Sequence, residues 1–269
     1  MSKILLVAGI TFRDCIRNKA LYGIFALGLM LFAANIIITG MFSWDLGKVA
    51  VDVGLSTVLV SGLIIIFFVG IMAVSNDLDK KTVYLVLSRP LSRVHFILGK
   101  YAGLAGVILA SSCILGACAA LSFKLSTFRS PGFIPVNFSW HIFFLGLAFL
   151  TLSLLLLLAV ALLWAVVTTH PFTAVLLSLM SYFIGQNIEN VRTIIHARKI
   201  FDQNTVLIRV TDIASWLLPN LAAFDLKTTA AYGLPVNTVS LVWVCLYGIS
   251  YIGLCLIISI IVFQRRELV

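Results

Sequence analysis

The chain has 269 residues, of which 61% are hydrophobic and only 11% are charged, and its formal net charge is +9. A soluble domain carries about 25% charged residues, so this chain lacks the polar surface of a water-soluble fold. Its lysines and arginines lie in short clusters between apolar runs and form no basic face, which argues against nucleic-acid binding. The composition predicts a membrane protein with the bilayer as its solvent.

Residues 1–20 are predicted to form an amphipathic helix ahead of the first span. Its apolar face is formed by Leu5, Ala8, Phe12, Cys15 and Ile16. Its polar face is formed by Lys3, Arg13, Arg17 and Asn18. Such an interfacial helix lies in the plane of the inner leaflet, with Arg13, Arg17 and Lys19 anchoring it to lipid phosphates. A frayed cytoplasmic tail is the alternative interpretation of the same residues.

Six stretches of the chain are long and apolar enough to cross a bilayer core, which takes a helix of about 20 apolar residues. These predicted transmembrane helices are residues 21–40, 53–75, 101–123, 142–169, 172–188 and 239–263. The fourth and fifth come from one uncharged run, residues 130–188, which Pro171 divides because proline cannot donate a backbone hydrogen bond. We therefore predict an all-α membrane protein whose residues 1–269 form a single transmembrane domain.

The distribution of basic residues around these spans predicts that both chain termini are cytoplasmic. With the N-terminus inside, the inner side holds Lys3, Arg13, Arg17, Lys19, Lys80, Lys81, Arg89, Arg93, Lys100, Arg265 and Arg266. The short outer segments hold only Lys48, Lys124 and Arg129. Basic residues are retained on the cytoplasmic side, so we expect a multi-pass protein of the cell's inner (cytoplasmic) membrane. Residues 189–238 then form a long outer loop.

The sequence contains no motif for catalysis or for cofactor binding. It has neither the G-x-x-x-x-G-K-[ST] loop that binds ATP nor the H-E-x-x-H and G-x-S-x-G motifs of hydrolases. Its five cysteines form no C-x-x-C pair, which removes the usual zinc site. The spans carry almost no charge, whereas an ion-coupled carrier keeps ionisable residues in the membrane. We expect a protein that is not an enzyme, binds no cofactor and draws its energy from a partner.

The segment between the second and third spans, residues 76–100, is the most informative part of the chain. It reads NDLDKKTVYLVLSRPLSRVHFILGK. Asp77 can cap a short helix that runs to Leu87. Pro90 ends that helix, and Ser92 can cap the next one. A compact, charged cytoplasmic helix held between two spans suits force transmission to a docked partner. A plain solvated loop, whose basic residues only obey the orientation rule, is the alternative.

A stripe of small residues runs along one face of the third span. It is formed by Gly99, Gly103, Gly106, Ala110, Cys113 and Ala117. Small residues at this spacing let the backbone of another helix approach closely. We therefore predict helix packing at Gly99, Gly103, Gly106 and Ala110.

Several phrases of the sequence form a recognisable pattern. The inner loop contains Asp77, Thr82, the phrase Leu87-Ser88-Arg89-Pro90-Leu91-Ser92-Arg93, and Gly99-Lys100. In this loop the chain resembles the permease subunit of the ABC-2 family of ATP-binding-cassette transporters. Further similar segments are residues 11–14, residues 217–226, Tyr232-Gly233 and residues 265–267. One departure is Asp77, since the usual acid at this point of the family pattern is glutamate.

The resemblance implies a pair of six-span subunits, either a homodimer or a pair with a sister permease, above two cytoplasmic ABC ATPase subunits that bind ATP and Mg. Residues 76–93 would be a coupling helix seated in a groove of the ATPase. The first, second and fifth spans would line the dimer interface. The coupling residues are then Asp77, Asp79, Lys80, Thr82, Tyr84, Arg89, Pro90 and Arg93. The implied function is that of an exporter, in which ATP hydrolysis on a separate chain moves a substrate across the membrane.

Two other functions stay open at this point. One is a membrane scaffold or assembly subunit of the same type, which uses the ATPase to remodel or mature a partner protein. The other is a stand-alone secondary carrier, which needs neither an ATPase nor the charged inner helix. The uncharged spans disfavour the carrier.

Overall fold

A computed structural model describes residues 3–41, 46–79, 92–129, 138–168, 170–197, 218–235 and 237–265. All regular secondary structure within these ranges is helical, so the chain is an all-helical protein, as its composition predicts. Residues 80–91 of the predicted coupling segment and residues 198–217 of the predicted outer loop lie outside the described residues.

The chain begins with two helices that meet at Asn18, α1 (Lys3–Arg17) and α2 (Lys19–Met41). A long interrupted helix follows, made of α3 (Leu46–Ile64), a π-helical turn (Ile65–Gly70) and α4 (Ile71–Asp79). Three long helices come next, which are α5 (Arg93–Arg129), α6 (Trp140–Val167) and α7 (Pro171–Ala197). The described residues close with a 3-10 turn (Ala222–Phe224), the short helix α8 (Lys227–Tyr232) and the long helix α9 (Thr238–Arg265).

Several of these helices are long and apolar enough to cross a membrane. Four qualify alone, and they are Lys48–Ser75, Arg93–Leu125, Trp140–Val167 and Thr238–Arg265. They overlap four of the six predicted spans. The predicted first span lies in α2. This helix is long and apolar enough to cross a membrane only when it is taken together with α1, from which it is bent by 62°. The predicted fifth span lies in α7, where Gln186 and Asn187 interrupt the apolar run, and it does not qualify.

Helix α6 lies at the centre of the bundle, whereas α9 lies at its rim. In α6, 72% of the most apolar 18-residue stretch is buried, whereas in α9 the corresponding share is 28%. A helix that is apolar on all sides, as α6 is from Leu154 to Leu162, is typical of a position surrounded by other helices. Helix α9 leaves Val242, Trp243 and Ile249 more than half exposed. In a membrane protein such a face is turned to lipid.

Two contacts define the two ends of the bundle. At one end, called here the Arg93 end, the guanidinium of Arg93 at the start of α5 reaches the last turn of α9. At the other, the Tyr232 end, Lys48 Nζ lies 4.6 Å from the centroid of the Tyr232 ring. Lys48 belongs to the first turn of α3, so the interrupted helix α3–α4 runs from the Tyr232 end towards the Arg93 end. The residues that flank the segment 80–91 therefore share one end of the bundle.

Helices α6 and α7 form a hairpin that the structure divides between Val167 and Pro171, at the predicted position. The indole Nε1 of Trp164 donates a hydrogen bond of 2.9 Å to Ser181 Oγ and ties the two helices together. Helix α7 does not end at residue 188, where we predicted the outer loop to begin, but continues to Ala197. The helix continues because residues 189–197 contain neither proline nor glycine.

Candidate functional site

The candidate site is the Arg93 end of the bundle, where the described residues that flank the predicted coupling segment lie. Asp77 and Asp79 belong to the last turns of α4, and Arg93 is the first residue of α5. The other predicted coupling residues lie outside the described residues, and they are Lys80, Thr82, Tyr84, Arg89 and Pro90. Within the described ranges, no group of three or more His, Cys, Asp or Glu side chains could hold a metal ion.

Arg93 joins the start of α5 to the end of α9. Its Nη1 donates hydrogen bonds of 3.0 Å to the carbonyl oxygen of Phe263 and 2.7 Å to that of Gln264. Its guanidinium carbon also lies 5.8 Å from the centroid of the Phe263 ring, within the range of a cation–π contact. The last carbonyls of a helix lack backbone donors and carry the negative end of the helix dipole. A guanidinium at this point therefore stabilises the helix end both as a donor and as a charge.

This contact was not predictable from the sequence. The sequence pattern assigns Arg93 to ATPase coupling and gives no sign that its guanidinium lies against α9, 170 residues further along the chain. No local spacing rule relates two residues so far apart. A basic residue at a helix start is also unusual, because cations favour the C-terminal end of a helix. This position is the only local sign that the Arg93 guanidinium stabilises the end of another helix.

A small apolar cluster, separate from the main core, surrounds the Arg93 contact. The rings of Phe96 and Phe263 stack with their centroids 5.7 Å apart. Ile97 of α5 is buried against them, together with Leu162 and Val166 of α6. The cluster therefore joins the start of α5, the end of α6 and the end of α9.

Ser92 directly precedes α5, at the position where we predicted a helix cap. The amide of Phe96 donates a hydrogen bond of 3.3 Å to the carbonyl oxygen of Ser92, which closes the first turn. The hydroxyl of Ser92 pairs with Nδ1 of His95. Side-chain and backbone contacts of Ser92 thus both fall within the first turn of α5.

Helix α1 packs against the stripe of small residues on α5. A Cβ carbon added to Gly99 would come within 2.6 Å of Val7 Cβ, and one added to Gly103 within 2.7 Å of the carbonyl oxygen of Ala8. Such distances leave no room for a side chain, so the two helices touch almost backbone to backbone. Ala110, the last of the four predicted packing residues, is exposed.

The predicted apolar face of α1 divides between the bundle and its surroundings. Cys15 is buried and Phe12 is half-buried, and a Cβ carbon on Gly106 would lie 3.3 Å from the Phe12 ring. Leu5 and Ile16, from the same predicted face, are exposed. The predicted lipid anchors are also exposed, and they are Arg13, Arg17 and Lys19.

The segment before α9, which belongs to the predicted outer loop, is packed into the Tyr232 end. The amide of Leu221 donates a hydrogen bond of 2.9 Å to the carbonyl oxygen of Gly185 in α7. The amide of Asn220 donates one of 3.0 Å to the hydroxyl of Tyr247 in α9. Phe224 is fully buried, so the segment is fastened to the bundle by both polar and apolar contacts.

A small open cleft lies beneath this segment. Its polar lining residues are Ser153, Gln186, Asp225 and Lys227. The Asp225 carboxylate accepts a hydrogen bond of 3.0 Å from the Lys227 amide and lies 3.5 Å from Lys227 Nζ. The acid and the base of the cleft thus neutralise each other, and the cleft offers no uncompensated charge to a ligand.

No protein-family model matches the chain, and no curated protein sequence matches it. Its function is therefore inferred from its own residues and their arrangement.

Proposed function

We propose that the chain is the permease subunit of an ATP-driven ABC transporter of the ABC-2 type, an exporter whose ATPase is a separate cytoplasmic chain. The observation that carries this proposal is the inner-loop pattern of Asp77, Thr82 and residues 87–93, which resembles that family. The position of the loop supports it. Because both of its flanks lie at the Arg93 end, a partner docked there can act on two long helices at once.

The polar residues inside the bundle favour an external source of energy. Among the described residues, the buried polar side chains are those of serine and threonine, apart from Lys100. A carrier driven by protons or sodium holds its coupling ion with ionisable residues inside the membrane. The composition of the interior therefore supports ATP on a partner chain over a stand-alone carrier.

Six spans with both termini in the cytoplasm are part of the proposal, and they comprise α2, α3–α4, α5, α6, α7 and α9. The Arg93 end is then the cytoplasmic end. Helix α5 has 37 residues, which at 1.5 Å per residue is about 55 Å and longer than the bilayer core of about 30 Å. Its uncharged part lies between Lys100 and Lys124. Its first turns, including Arg93, therefore extend towards the cytoplasm.

Helix α1 is proposed to lie at the inner interface of the membrane. It bends by 62° from the helix that follows, and it contacts α5 from Gly99 to Gly106, beside Lys100, where the uncharged part of α5 begins. Its exposed side carries Arg13 and Arg17. Cations at that depth are placed to meet lipid phosphates.

A second copy of the permease, or a sister permease, is proposed to pair through the first, second and fifth spans. Helices α2 and α7 contain the first and fifth of these spans. Both leave large apolar side chains exposed, including Met30 and Ile37 on α2 and Phe172 and Phe183 on α7. These surfaces are available to a second bundle within the membrane.

The proposal is tested by purifying the tagged chain in a mild detergent and identifying what accompanies it. We expect an ABC ATPase with the wild type. The variant Asp77→Arg/Arg89→Glu reverses two charges of the coupling segment and should lose the ATPase. The matched control is Arg265→Glu, which reverses an exposed charge on α9 outside that segment and should keep it.

The outcomes separate the candidate functions. Absence of any ATPase under every mild condition contradicts the transporter subunit. An ATPase that associates, while ATP only matures or remodels a partner protein and nothing crosses the membrane, supports the scaffold alternative instead.

A further inference from the structure

We infer that Arg93 is a positioning residue that latches the start of α5 to the last turn of α9, so that a displacement of the start of α5 is passed to α9. The inference rests on the proposed function, since it names the route by which movement of the ATPase enters the bundle. It concerns the contact between α5 and α9, which neither the family pattern nor the span plan contains.

The latch is made by a charged donor at the very start of α5. A hydrogen bond from a charged donor is about twice as strong as a neutral one, and Arg93 makes two such bonds, to the carbonyl oxygens of Phe263 and Gln264. Its guanidinium also covers the Phe263 ring. Arg93 is the first residue of α5, so a displacement that enters α5 at its start reaches the guanidinium before it reaches the rest of the helix.

The apolar cluster beneath Arg93 is closely packed. Phe263 is fully buried, and its ring stacks on Phe96 one turn into α5. Leu162 and Val166 of α6 close the cluster from a third side. Close-packed side chains transmit displacement because they leave no space to absorb it. The start of α5 and the end of α9 therefore move together.

Helix α4, which precedes residues 80–91, differs from the start of α5. Helix α4 is separated from α3 by the π-helical turn Ile65–Gly70, and the amide of Ile71 donates to the carbonyl oxygen of Ile66, five residues earlier. A π-turn interrupts the regular ladder of the helix, so this flank contains a break within its span. Helix α9, in contrast, is the least buried of the four clear spans, so shifting it disrupts the least packing.

The latch is tested by hydrogen exchange on the full-length chain in lipid nanodiscs. Arg93→Ala should speed exchange of the amides of residues 260–265 by about tenfold, because the last turn of α9 loses two charged donors. Arg93→Lys should give a smaller increase, since an ammonium keeps the charge but not the planar guanidinium. The control is Arg265→Ala, which removes an exposed charge from the same turn. Exchange in Arg93→Ala no faster than in this control overturns the latch.

The transmission role is tested on the complex with the co-purified ATPase. We expect ATP with vanadate to change exchange in residues 260–265 of the wild type but not of Arg93→Ala, with the ATPase bound in both. An equal response in Arg93→Ala overturns transmission through Arg93. If no ATPase associates, the proposed function fails and Arg93 is only a cap on α9. The exchange of residues 260–265 in Arg93→Ala still tests that cap, because it is measured without the ATPase.

Discussion

Gly103 of α5 and Ala8 of α1 lie so close together that a Cβ carbon on Gly103 would come within 2.7 Å of the carbonyl oxygen of Ala8. The obstacle is backbone, so no flexible side chain can move aside. One turn away, a Cβ carbon on Gly99 would come within 2.6 Å of the side chain of Val7 and within 3.2 Å of the carbonyl oxygen of Ile4. The position of α1 therefore depends on the absence of side chains at two points of α5.

Replacing Gly103 by leucine is expected to lift α1 from the bundle. Overpacking of a close contact costs about 1–3 kcal/mol, and α1 is a short helix at the edge of the fold. Cys15, which is 3% exposed in α1, should then become accessible. We expect its rate of maleimide labelling, followed by mass spectrometry of the Cys15 peptide, to rise about tenfold.

The matched control is Gly253→Leu. Gly253 lies in α9 with nothing within 4 Å of its Cβ position, so leucine adds the same volume without a collision. Cys15 should stay protected in this variant. Protection of Cys15 in Gly103→Leu as well would show that α1 is not held by the glycine contact.

The glycine stripe was visible in the sequence because its constraint is local. Gly99, Gly103 and Gly106 share a helix face at fixed spacing, and a close approach can be inferred from that alone. Which helix approaches is a property of the whole fold, and the stripe does not specify α1. It also does not specify where contact stops, so Ala110 was included although it is exposed.

The contact between Arg93 and Phe263, unlike the glycine stripe, depends on residues far apart in the sequence. Each residue is ordinary in its own segment, and only the fold brings them together across 170 positions. Of the six predicted spans, four lie in helices that are long and apolar enough on their own to cross a membrane. The fifth predicted span, residues 172–188, is borderline in hydropathy because Gln186 and Asn187 lie inside the continuous helix α7.

Reversing the charges of α1 is expected to weaken its contact with an anionic membrane. Each cation near an anionic surface contributes about 1 kcal/mol, and Arg13 and Arg17 are both exposed. In phosphatidylglycerol nanodiscs, Arg13→Glu/Arg17→Glu should therefore speed hydrogen exchange across residues 3–17. Lys124→Glu, an exposed charge near the other end of α5, is the control and should not. Equal exchange in phosphatidylglycerol and in neutral phosphatidylcholine for the wild type would contradict the anchor role of these arginines.

The orientation of the bundle can be tested with two single substitutions. Leu234→Cys lies at the Tyr232 end, and Arg265→Cys lies in the last turn of α9, at the Arg93 end; both positions are exposed. A maleimide that cannot cross membranes should label the first in intact cells and the second only after permeabilisation, each measured against the parent chain. The reverse pattern would place the Arg93 end outside the cell, where no ATP-driven partner could reach it.

Removing the Phe224 ring is expected to release the segment that covers the Tyr232 end. Phe224 is 1% exposed, and its ring approaches Gly248 of α9 so closely that a Cβ carbon there would lie 2.9 Å from it. Truncation of a buried phenylalanine costs about 3–5 kcal/mol, and the two backbone hydrogen bonds at Asn220 and Leu221 are each worth only about 1 kcal/mol. The apolar contact is therefore the main fastening.

We expect Phe224→Ala to raise the rate of tryptic cleavage after Lys227 by at least about tenfold, measured on the chain in proteoliposomes. The control is Leu234→Ala, which truncates a side chain of similar character that is 49% exposed just beyond α8, and it should leave the rate near that of the wild type. If both variants are cut at the wild-type rate, the hydrogen bonds to Gly185 and Tyr247 suffice to hold the segment. In that case the ring of Phe224 fills space at the Tyr232 end but is not needed to keep the segment packed against the bundle.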